Sequence, residues 1–167
     1  MTIIEKSEYY KIIYDILKND EFQKRKNYPH HGNISVYEHS LAVSKLSYDL
    51  AKKFNLDYES AAIGGLLHDF YRNPWQNNKK KKFLEKHGFT HAKDALLNSY
   101  EYFPELMNEK IDNIILRHMF PLNKIPPKYA ESWIITLVDK YVSLETLKNP
   151  SFFLDLFGIR KKSDQNV

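Results

Sequence analysis

The stretch Ala61-Ala62-Ile63-Gly64-Gly65-Leu66-Leu67-His68-Asp69 decides the fold. An unbroken run of apolar and small residues ends on an imidazole and a carboxylate. Burying either group without compensation is costly, so the pair needs a partner inside the protein. Outward from it, His39, His91, His118 and Asp139 also lie in otherwise apolar segments. From His39 through His68, His91 and His118 to Asp139 the intervals are 29, 23, 27 and 21 residues. Each interval holds about one helix and a loop, so each helix delivers one ligand to a common centre. Gly64 and Gly65 leave a face nearly free of side chains just before His68. Each costs about 1 kcal/mol against alanine in a helix interior. Close packing offsets that cost, and it would set the His68-Asp69 turn against the helix that carries His39.

The rest of the chain reads as helix. Its 167 residues suit one domain with one core, which we take as residues 1–159, followed by a polar tail over 160–167. Five glycines and few alternating stretches argue against a sheet. A first helix is expected over residues 2–18. Ser35 and Glu38 form a capping box for a helix from Val36 to Phe54, and Tyr58 to Phe70 follows. Lys79 to His87 reads as a short basic helix closed by Gly88. Thr90 then caps a helix from His91 to Tyr102. Pro104 or Glu105 starts one that runs to Met119, and Pro126-Pro127 starts the last, ending before Asn149.

Composition narrows the function. Hydrophobic residues make up 43% and charged residues 28%, the balance of a globular protein. There is no cysteine, so a metal here has only nitrogen and oxygen ligands. No apolar run approaches the roughly 20 residues of a membrane span, and the first residues lack a signal-peptide pattern. A cytoplasmic location and no membrane partner are the expectations. The net charge of +4 suits a small anionic substrate and is too mild for a stable nucleic-acid complex.

Taken singly, His39 and His118 read as core residues satisfied by a carbonyl, and Asp139 as the partner of Lys140 or a cap. His39 shares a stripe with Val43, Leu46 and Leu50; His118 repeats it with Ile111, Ile114 and Ile115. His91, as the first residue of its helix, would be kept neutral by the helix dipole, and a neutral imidazole is what a metal needs. Jointly, His39, His68, Asp69, His91, His118 and Asp139 make a nitrogen-and-oxygen ligand set. It suits iron or manganese, and also zinc, cobalt or nickel, with magnesium less favoured. Six protein ligands overfill one ion that must also bind substrate, so two divalent ions sharing Asp69 fit better.

These residues resemble the HD-domain superfamily of metal-dependent phosphohydrolases, over roughly Tyr28 to Leu147. The family's His-Asp pair corresponds to His68-Asp69, its first histidine to His39 and its distal aspartate to Asp139. Members with two intervening histidines hold two metals, and His91 and His118 look like that pair. The resemblance implies an all-α helical bundle with a binuclear centre that hydrolyses a phosphate ester, such as a nucleotide. Asp69 would be central to catalysis. Arg72 stands where the HD-GYP branch has a lysine, although the Gly-Tyr-Pro signature is absent. Asp139-Lys140 matches a pair found in the symmetrical dinucleoside tetraphosphatases of the superfamily.

On this reading Arg72 and Lys140 position the substrate, and His30, His31 or His87 protonates the leaving group. Tyr28, Tyr37, Tyr71, Trp75 and Phe120 are candidates for stacking on a base. Two rivals stand beside this reading. One is a di-iron oxygenase like myo-inositol oxygenase. The other is a nucleotide-binding module without turnover, with Lys24-Arg25-Lys26 and Lys79 to Lys82 as its partner surface.

Overall fold

The computed structural model of the protein describes residues 7–30, 33–72, 87–149 and 151–158, with backbone alone at 87–89. Among these residues the helices are α1 (Glu8–Lys18), α2 (Asp20–Gln23), α3 (Val36–Lys53), α4 (Tyr58–Leu67), α5 (His87–Tyr102), α6 (Glu109–Arg117), α7 (Ala130–Lys148) and α8 (Phe152–Leu156). Short 3-10 turns cover Lys24–Asn27 and Pro104–Leu106. No strand occurs among the described residues, so the fold is all-α.

Helix α4 is the centre of the bundle, with every residue from Ser60 to Leu67 buried. On one side it joins a core that includes Ile13, Ile16, Phe22, Phe70, Ile111 and Ile115. On the other it meets Ala42, Val43, Ile114, Ile135, Val138 and Val142, from α3, α6 and α7. The two glycines make this closeness possible. A Cβ on Gly65 would lie 2.9 Å from the Ser44 Cα of α3, and one on Gly64 would lie 2.7 Å from the Ile114 Cδ1 of α6. The expected tight approach to the His39 helix is therefore present, and α6 approaches as closely. Ser44 Oγ reinforces the α3 contact by donating to the Ala62 carbonyl at 2.7 Å.

The opposite end of α4 is tied by polar groups. Asp57 caps the helix by accepting from Ser60 N–H, and its own N–H donates to the Glu131 carboxylate of α7 at 3.0 Å. Lys110 of α6 reaches both Asp57 (3.3 Å) and Glu131 (3.0 Å). Three helices are thus locked at the end far from His68.

Several expected boundaries move. Ser35 and Glu38 form the capping box as expected. Helix α1 starts at Glu8 behind a Ser7 cap, while residues 2–6 lie outside the described region. The segment expected as one helix to Met119 is broken. Asn108 accepts from the N–H groups of Lys110 and Ile111 and starts α6 afresh. Helix α4 stops at Leu67 and α7 starts at Ala130, three residues past Pro127. Gly88 does not end a helix: α5 begins at His87 and continues through Gly88 and Thr90. A glycine stops a helix when it turns left-handed; here it is helical and merely weakens the turn. Residues 79–86 of the expected basic helix, Trp75 and the polar tail lie outside the described region. Helices α2 and α8 were not expected from the sequence.

Arg25 is also not the surface residue expected of Lys24-Arg25-Lys26. It is fully buried, its guanidinium 4.4 Å from the Phe70 ring centroid and 5.0 Å from that of Tyr28. It donates to the Glu21 carbonyl at 2.7 Å and pairs with the Glu21 carboxylate at 2.8 Å.

Candidate metal centre

Helices α4 and α6 end in the same way. His68 is the C-cap of α4 and His118 the C-cap of α6. Each directs Nδ1 to the carbonyl three residues back, His68 to Gly65 and His118 to Ile115, both at 2.7 Å. A carbonyl can only accept, so Nδ1 carries the proton in each ring. Nε2 is then left to face the interior as a lone pair unless it too is protonated. That is the tautomer a metal ligand needs, fixed by a bond from its other nitrogen.

The first turn of α3 adds His39 and the middle of α7 adds Asp139. His39 Nε2 lies 3.0 Å from Asp139 Oδ1. His68 Nε2 lies 3.7 Å from the same oxygen and 3.6 Å from Asp69 Oδ2. Across the carboxylate of Asp69, Oδ1 stands 3.6 Å from both His91 Nε2 and His118 Nε2. Those two nitrogens are 3.1 Å apart. The described residues thus form three overlapping groups of mutually close donors: His39 with His68 and Asp139, Asp69 with His91 and His118, and His30 with His39 and Asp69. Asp69 offers one oxygen to each side.

His91 is not at the start of its helix, as expected, but in the second turn of α5. The dipole argument for its neutrality therefore loses force. Burial is uneven. His39, His68, His118 and Asp69 are buried, whereas His91 and Asp139 are partly exposed.

The electrostatics are those of a site built around cations. Burial alone would raise both carboxyls. The facing histidines outweigh it, His68 foremost for Asp69 and His39 foremost for Asp139, and hold both well below the usual carboxylate range. Burial pushes His39 down to about 4, with His30 adding to the effect. Burial and then His68 push His118 down to about 3. His68 goes the other way. Burial pulls it down, but Asp69 and Asp139 outweigh this and bring it up to about 9. One proton on His68 thus stands where a cation would otherwise balance two carboxylates.

The residues fit a metal. Two ligands of one ion at bonds of about 2.0–2.2 Å stand about 2.8–3.6 Å apart at right or tetrahedral angles. The His–carboxylate separations here run from 3.0 to 3.7 Å. His68 Nε2 is buried with no hydrogen-bond partner among the described residues. His118 Nε2 directs a lone pair at another imidazole nitrogen. A cation satisfies all of these atoms together.

The other expected site residues are placed differently. Arg72 turns to α5 rather than over the ligand cluster. Its N–H donates to Asp94 at 2.7 Å, Nε donates to Asn98 at 3.2 Å, and its terminal nitrogen pairs with Glu101 at 2.5 Å. Lys140 Nζ donates to the carbonyls of His118 (3.2 Å) and Thr136 (3.1 Å), and desolvation lowers its pKa. It ties α7 to the end of α6 beside His118. His31 and the His87 side chain lie outside the described region. His30, expected only as a candidate acid, sits in the cluster, with Nε2 3.4 Å from Asp69 Oδ2. Two neighbouring histidines in one turn gave the sequence no means of saying which faces inward. Among the aromatic candidates, Tyr71 is buried with its ring edge-on to His91, Tyr28 donates to the Arg72 carbonyl, and Phe120 packs on Trp133. Tyr37 packs on Phe22.

The HD domain matches residues 36–144, well over half of the chain. The chain belongs to the HD-domain family. All six expected ligands lie inside the matched region, and the His/Asp cluster fits the metal ligands of an HD domain. HD domains bind divalent metals, and their superfamily consists mostly of metal-dependent hydrolases. His30 precedes the matched region. No curated protein and no solved structure gives a match. No described helix is long and apolar enough to cross a membrane.

Proposed function

We propose that the chain is a phosphohydrolase that cleaves a small phosphate ester, such as a nucleotide, with two divalent transition-metal ions held by His39, His68, Asp69, His91, His118 and Asp139. The observation that carries this reading is the Asp69 carboxylate, whose two oxygens face two separate ligand groups. Bound divalent ions supply Lewis acidity: they make water a nucleophile near neutral pH and offset charge on a phosphoryl oxygen. The protein's part is to keep the ligands in register. His68 and His118 are fixed by carbonyls of their own helices, and Asp69 holds the two halves at a set separation. Lys140 holds the last turn of α6, and with it His118, against α7. Iron or manganese are the metals we expect, with a free anionic substrate and no nucleic-acid partner.

The test is a hydrolysis screen of nucleotides and phosphomonoesters and phosphodiesters, with protein loaded with manganese or iron, in air and without oxygen. Release of phosphate or a phosphate ester at equal rates in both atmospheres is the expected result. Product formation that consumes dioxygen would point instead to an oxygenase, and binding without turnover to a nucleotide-binding module.

A further inference from the structure

We propose that His30 is a seventh protein ligand of this centre. It would close the His39–His68 side with protein and leave the His91–His118 side as the open one. The inference rests on the two-ion reading above and makes the two ions unequal.

His30 is not carried by a helix, yet backbone hydrogen bonds hold it in place. Val36 N–H donates to the Tyr28 carbonyl at 2.8 Å and His30 N–H to the Ile34 carbonyl at 3.0 Å. Pro29 pairs with Ser35 across the same fold-back. These bonds turn the segment onto the N-terminus of α3, one turn before His39. The imidazole of His30 then lies flat on that of His39, with centroids 3.8 Å apart and planes at 17°. Its Nε2 comes within 3.4 Å of Asp69 Oδ2, and both side chains are only 9% exposed. His30, His39 and Asp69 have donor atoms all within 4.8 Å of one another, close enough to share an ion.

The two sides of Asp69 differ in their number of donors. Oδ2 faces His68 and His30, and His39 and Asp139 stand beside them. With Oδ2 itself, that makes five protein donors on this side, in two overlapping sets that share His39: His30, His39 and Asp69, and His39, His68 and Asp139. Oδ1 faces only His91 and His118 among these ligands, which makes three. Sites filled by protein hold metal for structure, whereas sites with three protein ligands keep a position for water or substrate. The first ion is then the tightly held one, and the second is the labile one that meets the substrate.

The experiment is a manganese titration of chelator-stripped full-length protein, read by calorimetry and by the electron paramagnetic resonance of free Mn(II). Wild type is compared with His30→Ala and His30→Phe. Phenylalanine keeps a ring against His39 but has no donor nitrogen, so it separates ligation from packing. Wild type should bind two ions per chain with unequal affinities. Both variants should weaken the tighter ion by at least about 10-fold, the lower end of what losing even an outer partner of a ligand costs. The weaker ion should stay within about two-fold of wild type. Tight binding unchanged in both variants overturns the proposal. So does loss in His30→Ala with wild-type affinity in His30→Phe, since packing would then be the whole effect. Wild type that saturates at fewer than two ions overturns the two-ion reading itself, whatever the variants do.

Discussion

At the residue scale, Asp69 has a part that no other ligand duplicates. Asp139 and the four histidines of the helices each face one side of the centre, while Asp69 faces both. Asp69→Ala should therefore release both ions, and Asp139→Ala should mainly release the ion on the His39 side. Metal content after dialysis measures this, and equal retention by the two variants would contradict the shared role. The expected activity loss for Asp69→Ala exceeds the roughly 10- to 100-fold typical of an outer partner. Arg72 makes the opposite case. Sequence alone suggests a guanidinium poised over the phosphate, but its pair with Glu101 is largely exposed, with side chains 45% and 53% accessible. Exposed pairs of this kind contribute little, about 0–1 kcal/mol. Arg72→Ala should leave metal content unchanged and lower kcat/KM by less than about 10-fold. A larger drop at full metal loading would return Arg72 to the substrate.

At the scale of elements, the centre depends on how closely α3 and α4 approach. Gly65 permits it, since a Cβ there would meet the Ser44 Cα rather than the end of a flexible side chain. Alanine gains about 1 kcal/mol in helix propensity, but overpacking against backbone costs about 1–3 kcal/mol. Gly65→Ala should lower the melting temperature of metal-free protein and weaken metal binding, because His68 moves relative to His39. An unchanged melt and metal affinity would mean that the helices have slack. This closeness was legible in the sequence because two glycines weaken a helix, and in an apolar one close packing offsets the loss. The capping box at Ser35 was equally legible, being a local pattern of side chain and backbone. The boundaries at His87, Asn108 and Ala130 were not. Asn108 reads as an ordinary polar residue until its carboxamide is seen to accept from two N–H groups. Gly88 signals a stop only if its φ turns positive, which composition does not reveal. The directions of Arg25, Arg72 and Lys140 were hidden for a related reason. A long side chain chooses among partners that only tertiary packing brings near.

For the whole molecule, the same ligands link stability to pH and to metal. In metal-free protein, His39 and His118 titrate at about 4 and about 3 when folded, against 6.5 when unfolded. Their folded values are depressed, so their contribution is present above pH 6.5 and is lost as the pH falls from 6.5 toward 4 and 3. His68 is raised to about 9. Its contribution is complete below its unfolded value of 6.5 and is lost as the pH rises from 6.5 through 9. The lowered carboxyls of Asp69 and Asp139 matter only in stronger acid, below the ordinary aspartate value of 3.8. Taken together, these groups place the stability maximum of the metal-free protein near pH 6.5. Metal reverses the alkaline side. An ion on His68 Nε2 displaces the proton held there, so affinity rises as the pH climbs toward 9 and binding lends stability in proportion. Melting curves at about pH 5, 6.5 and 8.5, with chelator and with saturating manganese, should show this. With chelator, the melting temperature should peak at about pH 6.5. With manganese, it should hold or increase to about pH 8.5, while at about pH 5 the two curves should converge as protons compete for the ligands. A manganese curve that falls between about pH 6.5 and 8.5 in parallel with the chelator curve would show that His68 keeps its proton and does not bind metal.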